Sequence, residues 1–157
     1  MQLMSSDFSA GGAIPSRFTC EGDNVSPDFS WKETPGETKS FALIMHDPDA
    51  ARPGGFTHWI LYNIPAEKGQ LNPEVPKQEQ IPGTGMQGRN DGGEIGYMGP
   101  CPPSGTHHYY VRLFALDKEL SLPPGATHAE LTEAIKGHIL AHAELMGTYR
   151  KKGKKVA

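Results

Sequence analysis

His108-Tyr-Tyr-Val-Arg-Leu-Phe-Ala-Leu116 is a run of aromatic and branched residues that starts soon after Gly105 and stops before Asp117. Such side chains suit a pleated, half-buried surface, and the flanking turn-formers bound a strand. Two upstream stretches read the same way. Lys39–His46 contains Phe41-Ala-Leu-Ile-Met45, and residues 57–64 are Thr-His-Trp-Ile-Leu-Tyr-Asn-Ile. Both are apolar on both parities, which predicts central strands covered on two faces. Shorter strands are expected at Ser16–Thr19 and Asp28–Trp31. Residues 67–105 are dominated by Gly, Pro and polar side chains and read as long loops, which in a compact domain usually carry function. Thr127-His-Ala-Glu130 is a capping box, followed by Ala129, Leu131, Ala134 and Ile135 at helical spacing. Gly137 breaks the run, and Ile139, Leu140, Ala143, Leu145 and Met146 predict a second helix. Strands first and helices last imply a mainly β, antiparallel sandwich-like domain with helices confined to the chain after Ala126.

The chain has 157 residues, which suits one domain over residues 1–149. Arg150-Lys-Lys-Gly-Lys-Lys155 then reads as a solvated basic tail. With 36% apolar residues there is material for one sizeable core, and 19 glycines and 14 prolines spread along the chain read as turns. The longest apolar run is five residues, Phe41–Met45, against the ~20 that a membrane-spanning helix requires. Residues 1–7 show neither a basic start nor an apolar stretch, so a cytoplasmic location is expected. A net charge of −3 argues against nucleic-acid binding. Cys20 and Cys101 form no CxxC pair, and in a cytosolic chain both are expected reduced. Cys101 reads either as a reactive thiol or as a small buried hydrophobe.

Gly83-Thr-Gly-Met-Gln-Gly88 matches the dinucleotide fingerprint in letters alone. It lacks the preceding strand and following helix that let such a loop cradle a pyrophosphate, so that reading is rejected. Polar residues at strand ends are more informative. Asp47 and Asp49, in Asp47-Pro-Asp49, share a side in extended chain. His58 opens the second strand, and His108 and Tyr110 share one face of the third. These five side chains have the parity to converge on one rim beside Tyr97-Met-Gly-Pro-Cys-Pro-Pro103, where Gly99 would let a ligand approach the backbone. Imidazolium, phenol and backbone N–H groups could hold an anion such as phosphate, and the carboxylates could accept from an ammonium or orient the imidazoles. The alternatives stay open: Asp-Pro-Asp is also a turn that bonds its own backbone, and His58 and His108 also suit a sheet. A metal site from His46, Asp47, Asp49 and His58 has no compact ligand spacing behind it. His107, His128, His138 and His142 show no partner pattern and read as surface residues.

Asp47-Pro-Asp-Ala50, Gly55-Phe-Thr-His-Trp59, Gly88-Arg-Asn-Asp91 and the run Gly99-Pro-Cys-Pro-Pro103 continuing to His107-His-Tyr-Tyr110 resemble the phosphatidylethanolamine-binding protein (PEBP) family. The nearest match is its bacterial and archaeal branch, often labelled Raf-kinase-inhibitor-like, and it also covers Ser26-Pro-Asp-Phe-Ser-Trp31 and Gly137–Tyr149. The resemblance implies a large antiparallel sheet packed on a smaller one with short C-terminal helices. It implies a ligand pocket of Asp47, Asp49, His58, Gly99, Cys101, Pro102, Pro103, His108 and Tyr110. No catalytic residue, bound metal or cofactor is expected. The implied function is binding of a small anionic or phosphorylated ligand, such as phosphate or a phosphoethanolamine-like headgroup. Regulation of a kinase or protease is the runner-up, and hydrolysis a weaker third because no nucleophile is paired with a base. The resemblance also implies a homodimer.

Overall fold

The structure, a computed structural model, describes residues 1–152; the remainder of the basic tail lies outside them. Among the described residues, nine strands form two sheets. The smaller contains β1 (Gln2–Met4), β2 (Phe29–Lys32) and β5 (Gln70–Leu71) in the order β1-β2-β5. The larger has the order β6-β7-β4-β3-β8-β9, from β3 (Ser40–Asp47), β4 (Phe56–Pro65), β6 (Gln80–Ile81), β7 (Gly85–Gln87), β8 (His107–Leu116) and β9 (Ile139–Tyr149). All these strand pairings are antiparallel. The mainly β sandwich implied by the sequence is the observed fold.

The burial pattern follows from strand periodicity. In β3, Phe41, Leu43 and Met45 face the smaller sheet and pack with Phe29, Trp31, Trp59, Leu61 and Val111. Ala42 and Ile44 face the other way and pack with Ile60, Tyr62, Leu131 and Ile135 beneath α1 (His128–Ile135). The two-sided apolar pattern of β3 thus marks a strand central in the sheet and covered on both faces.

Two expectations are corrected here. The second helix does not form: Ile139–Tyr149 is β9, paired with β8 from Leu116↔Ile139 to His107↔Tyr149. Ala143, Leu145, Gly147 and Tyr149 are buried at a period of two. The open edge of β8 offers a ladder of hydrogen bonds, and that outweighs the weak helical spacing. Likewise, Ser16–Phe18 is a 3-10 turn rather than a strand, closed by Phe18 N–H to Pro15 O and Thr19 N–H to Ser16 O, so helical structure is not confined to the C-terminal end. The Thr127 capping box forms as expected, with Glu130 N–H donating to Thr127 Oγ1 at 3.2 Å. Gly83–Gly88 spans β7 and the turn from β6, so a short strand does precede it, but the next element is β8 and no helix begins inside it.

The cysteines are also corrected. Cys20 and Cys101 are joined as a disulfide with Cα atoms 5.4 Å apart, so Cys101 is neither a free thiol nor a buried hydrophobe. The bridge closes a loop of 81 residues. In the chain-entropy account a loop of that size destabilises the unfolded chain by up to ~4.5 kcal/mol. Replacing Cys20 by Ser, or reducing the bridge, is therefore expected to destabilise the protein by ~2–4 kcal/mol. In calorimetric melts that is a Tm lower by roughly 5–15 °C. An unchanged Tm would show that the bridge contributes no stability.

Candidate functional site

A cavity of about 200 Å³ opens where β3 ends and β4 and β8 begin, beside the Tyr97–Pro103 segment. Asp47 terminates β3 on the parity of Leu43 and Met45, so its carboxylate enters the cavity instead of the α1 side. Its Oδ2 accepts from His107 Nδ1 at 2.6 Å, and its Oδ1 accepts from Asp49 N–H at 2.8 Å. The Asp47 and His107 side chains are only 4% and 12% exposed, so the pair sits in a region where water screens it little.

His58 reaches the same cavity because β4 carries an irregularity. The register runs Met45↔Trp59 and then His46↔Thr57, so β4 has one residue more than β3 at this point. His58 and Trp59 then both serve the side of the smaller sheet, while Thr57 remains on the α1 side. His58 Nδ1 lies 2.6 Å from Met98 O, a carbonyl that can only accept, so Nδ1 carries the proton and Nε2 is the acceptor of the neutral ring. Burial pushes the His58 pKa below its ordinary value, with His46 adding to the shift, against opposition from the Met98 carbonyl and Asp47. Tyr109 completes the wall. Its hydroxyl is buried with no hydrogen-bond partner among the described residues, and burial with the nearby Asp47 and Asp49 charges pushes its pKa up. It remains protonated and free to donate.

Of the residues expected at the site, Asp47, His58, Gly99, Cys101, Pro102 and Pro103 line this cavity. Asp49, His108 and Tyr110 do not. Asp49 is exposed and pairs with His108, accepting from its backbone N–H at 2.8 Å and from Nδ1 at 2.7 Å. Those two bonds hold the Asp49 pKa below the usual carboxylate range. Tyr110 lies on the α1 side, opposite His46 and under the Arg112 guanidinium. Their places are taken by His107, read from the sequence as a surface residue, and Tyr109. The error is one residue of strand parity, and His107-His-Tyr-Tyr110 invites it by offering the same chemistry on both parities. A signal was present downstream: Val111 and Leu113 are apolar and Arg112 is charged, so 107 and 109 belong to the buried face.

Gly99 also plays a different part from the one expected. A Cβ there would collide with Phe18 O and Asn24 Oδ1, and its N–H already donates to Asn24 Oδ1 at 2.7 Å. The glycine serves the close approach of two protein segments, not of a ligand. Tyr97 OH donating to Phe18 O, Cys20 N–H donating to Pro100 O, and the Cys20–Cys101 bridge join the same segments. In the Gly88–Asp91 motif, Asn90 Oδ1 accepts from Gly92 and Glu94 N–H, while Asp91 pairs with the Thr57 backbone, so the motif braces the start of β4.

The family model for phosphatidylethanolamine-binding proteins matches residues 4–150, and the chain belongs to that family. A UPF0098 protein of Methanothermobacter thermautotrophicus is 49% identical over 96% of this chain and 99% of its own length. Another from Aquifex aeolicus is 44% identical over 96% and 89%. The crystal structure of the PEBP homolog CT736 of Chlamydia trachomatis superposes with a TM-score of 0.89 at 44% identity, covering 96% of this chain and 97% of that one. That of E. coli YbcL, described as a member of the mammalian PEBP family, also gives 0.89, at 32% identity over 96% and 98%.

Burial pushes the His58 and His128 pKa values below the ordinary histidine value. An unfolded chain takes up these protons near pH ~6.5, whereas the folded chain resists them, so stability is present above that pH and declines as the pH falls below it. Unfolding free energies from denaturant melts are expected to fall between pH 8 and pH 5, because unfolding lets both rings take up protons that the folded chain resists. The drop should be smaller in His58→Gln than in wild type. Equal slopes in the two proteins would remove His58 from the explanation.

Proposed function

We propose that the protein binds a small ligand through an anionic, phosphate-like headgroup seated against Tyr109 and the Asp47–His107 pair. The observation that carries this reading is the buried Tyr109 hydroxyl, a donor that no group among the described residues satisfies, beside an imidazole oriented by a carboxylate. At about 200 Å³ the cavity suits a headgroup, since drug-sized ligands occupy ~300–1,000 Å³. His58 offers an acceptor, which a singly protonated phosphate or an ammonium group would meet with a donor. Binding rather than catalysis is favoured because Cys101 is held in a disulfide and no described hydroxyl or thiol is hydrogen-bonded to His107 or His58. No metal or cofactor enters the reading. Homodimer formation and a cytoplasmic setting complete the proposal. In the cytoplasm the bridge has to withstand a reducing thiol pool, so alkylating freshly lysed cells to show whether Cys20 and Cys101 are joined tests that setting.

Calorimetric titration of inorganic phosphate and phosphoethanolamine across pH 5.5–8 tests the site. Affinity is expected to weaken as pH rises and the headgroup loses the proton that meets the His58 acceptor. His107→Ala removes a charge-assisted bond of ~1.5–3 kcal/mol, a loss of roughly 10- to 150-fold. Tyr109→Phe removes a hydroxyl that donates to the charged headgroup, also ~1.5–3 kcal/mol, again roughly 10- to 150-fold. His108→Ala, outside the cavity, should bind as wild type. If His107→Ala and Tyr109→Phe retain full affinity, or if neither probe binds, the assignment is wrong. A phosphopeptide that binds while both small probes fail would support the alternative role as a kinase or protease regulator.

A further inference from the structure

On the face of the large sheet opposite the cavity, three side chains form a continuous hydrogen-bonded chain. His46 Nε2 lies 2.8 Å from Gly54 O, His46 Nδ1 lies 3.0 Å from Thr57 Oγ1, and Thr57 Oγ1 lies 2.9 Å from His128 Nδ1. The two rings are 5.3 Å apart, and Thr57 is fully buried between them. Backbone geometry holds the first link in place: Gly55 has φ +79°, and a Cβ there would stand 2.8 Å from His46 Nε2. The arrangement determines the protons. A carbonyl only accepts, so Nε2 of His46 carries a hydrogen and, in the neutral ring, Nδ1 accepts from the Thr57 hydroxyl. The Thr57 oxygen is then left to accept from His128 Nδ1–H, and His128 Nε2 is a bare acceptor.

We propose that His46, Thr57 and His128 form a one-proton relay, in which a proton taken up at His128 Nε2 comes to rest as charge on His46. The balance is simple. The incoming proton binds His128 Nε2, the Nδ1 proton of His128 passes to the Thr57 oxygen, and the original Thr57 hydroxyl proton passes to His46 Nδ1. His46 becomes the imidazolium, donating to Gly54 O and Thr57 Oγ1. His128 ends neutral, in its Nε2–H tautomer, accepting at Nδ1 from the Thr57 hydroxyl.

The surroundings favour this resting place. His128 is the first residue of α1, where the helix dipole opposes a cation, whereas the Gly54 carbonyl directly supports one on His46. Burial, then His46 and Arg112, push the His128 pKa below its ordinary value, against the pull of Asp91. The other charged groups facing the relay are paired. Arg52 of the loop after β3 lies 3.9 Å from Asp91, Arg112 of β8 bonds Glu144 of β9 at 2.7 Å, and Lys136 bonds Glu133 of α1 at 2.9 Å. Glu130 is engaged by the helix cap. The relay proton is thus the variable charge at the joint between α1 and the sheet. Uptake converts His128 Nε2 from acceptor to donor where two clefts meet.

Long-range ¹H–¹⁵N correlation of the histidine rings in the full chain, titrated from pH 8 to 5, reads each tautomer directly. At pH 8, His46 should be the Nε2–H tautomer and His128 the Nδ1–H tautomer. With falling pH, both rings should change with one shared midpoint, His46 becoming doubly protonated while His128 switches to Nε2–H. Thr57→Val should abolish the shared midpoint and the tautomer switch, and Thr57→Ser should restore both. The proposal is overturned if wild-type His128 itself becomes the doubly protonated ring at the first step, or if Thr57→Val titrates as wild type. The wild-type measurement decides the matter even if Thr57→Val does not fold.

Discussion

Strand β3 is hydrogen-bonded along both edges, to β4 and to β8, and is buried on both faces. That double enclosure places every side chain of β3 in one of two environments with no intermediate choice. Phe41, Leu43 and Met45 join the core under the smaller sheet, and the same parity delivers Asp47 to the cavity. Ala42 and Ile44 join the core under α1, and their parity delivers His46 to the opposite face. Two clusters of chemistry therefore stand back to back on adjacent residues of one strand. Thr57 and His58 repeat the arrangement on β4.

The cavity wall is held by covalent and hydrogen-bonded links to a segment remote in sequence. The Tyr97–Cys101 stretch is attached to residues 18–24 by the Tyr97 and Gly99 hydrogen bonds, by Cys20 N–H to Pro100 O and by the disulfide. A wall so attached presents Met98 O to His58 at a fixed place, and that contact sets the tautomer of the ring. Preorganisation of this kind reduces the ordering that a ligand would otherwise have to impose.

Buried polar groups in the two clusters are treated differently. Behind the cavity, the ring nitrogens of His46 and the hydroxyl of Thr57 are all engaged. Within the cavity, Asp47 and His107 satisfy one another while Tyr109 OH has no partner among the described residues. An unsatisfied buried hydroxyl costs ~1–3 kcal/mol in an ordinary core. At Tyr109 that hydroxyl belongs to a residue of the cavity wall.

Much of this was written in local sequence. The three long strands, the antiparallel sandwich, the Thr127 capping box and the convergence of Asp47 and His58 on the Gly99–Pro103 turn all follow from residue type and spacing, because pleat and cap chemistry act over a few residues. Ile139–Tyr149 was not legible this way. Its helical spacing yields to the unpaired edge of β8, a demand that exists only once the sheet is assembled. The cysteine pairing depends on two segments 81 residues apart being folded together. The doublet His107-His-Tyr-Tyr110 carries the same chemistry on both parities, so the choice of His107 and Tyr109 over His108 and Tyr110 belongs to the register with β3. His128 meets Thr57 only when α1 closes over the sheet. Sequence by itself determined which elements and chemical groups this protein has to work with. Tertiary structure decided which face each group serves, because a strand's parity becomes a direction only when neighbours bury one side of it.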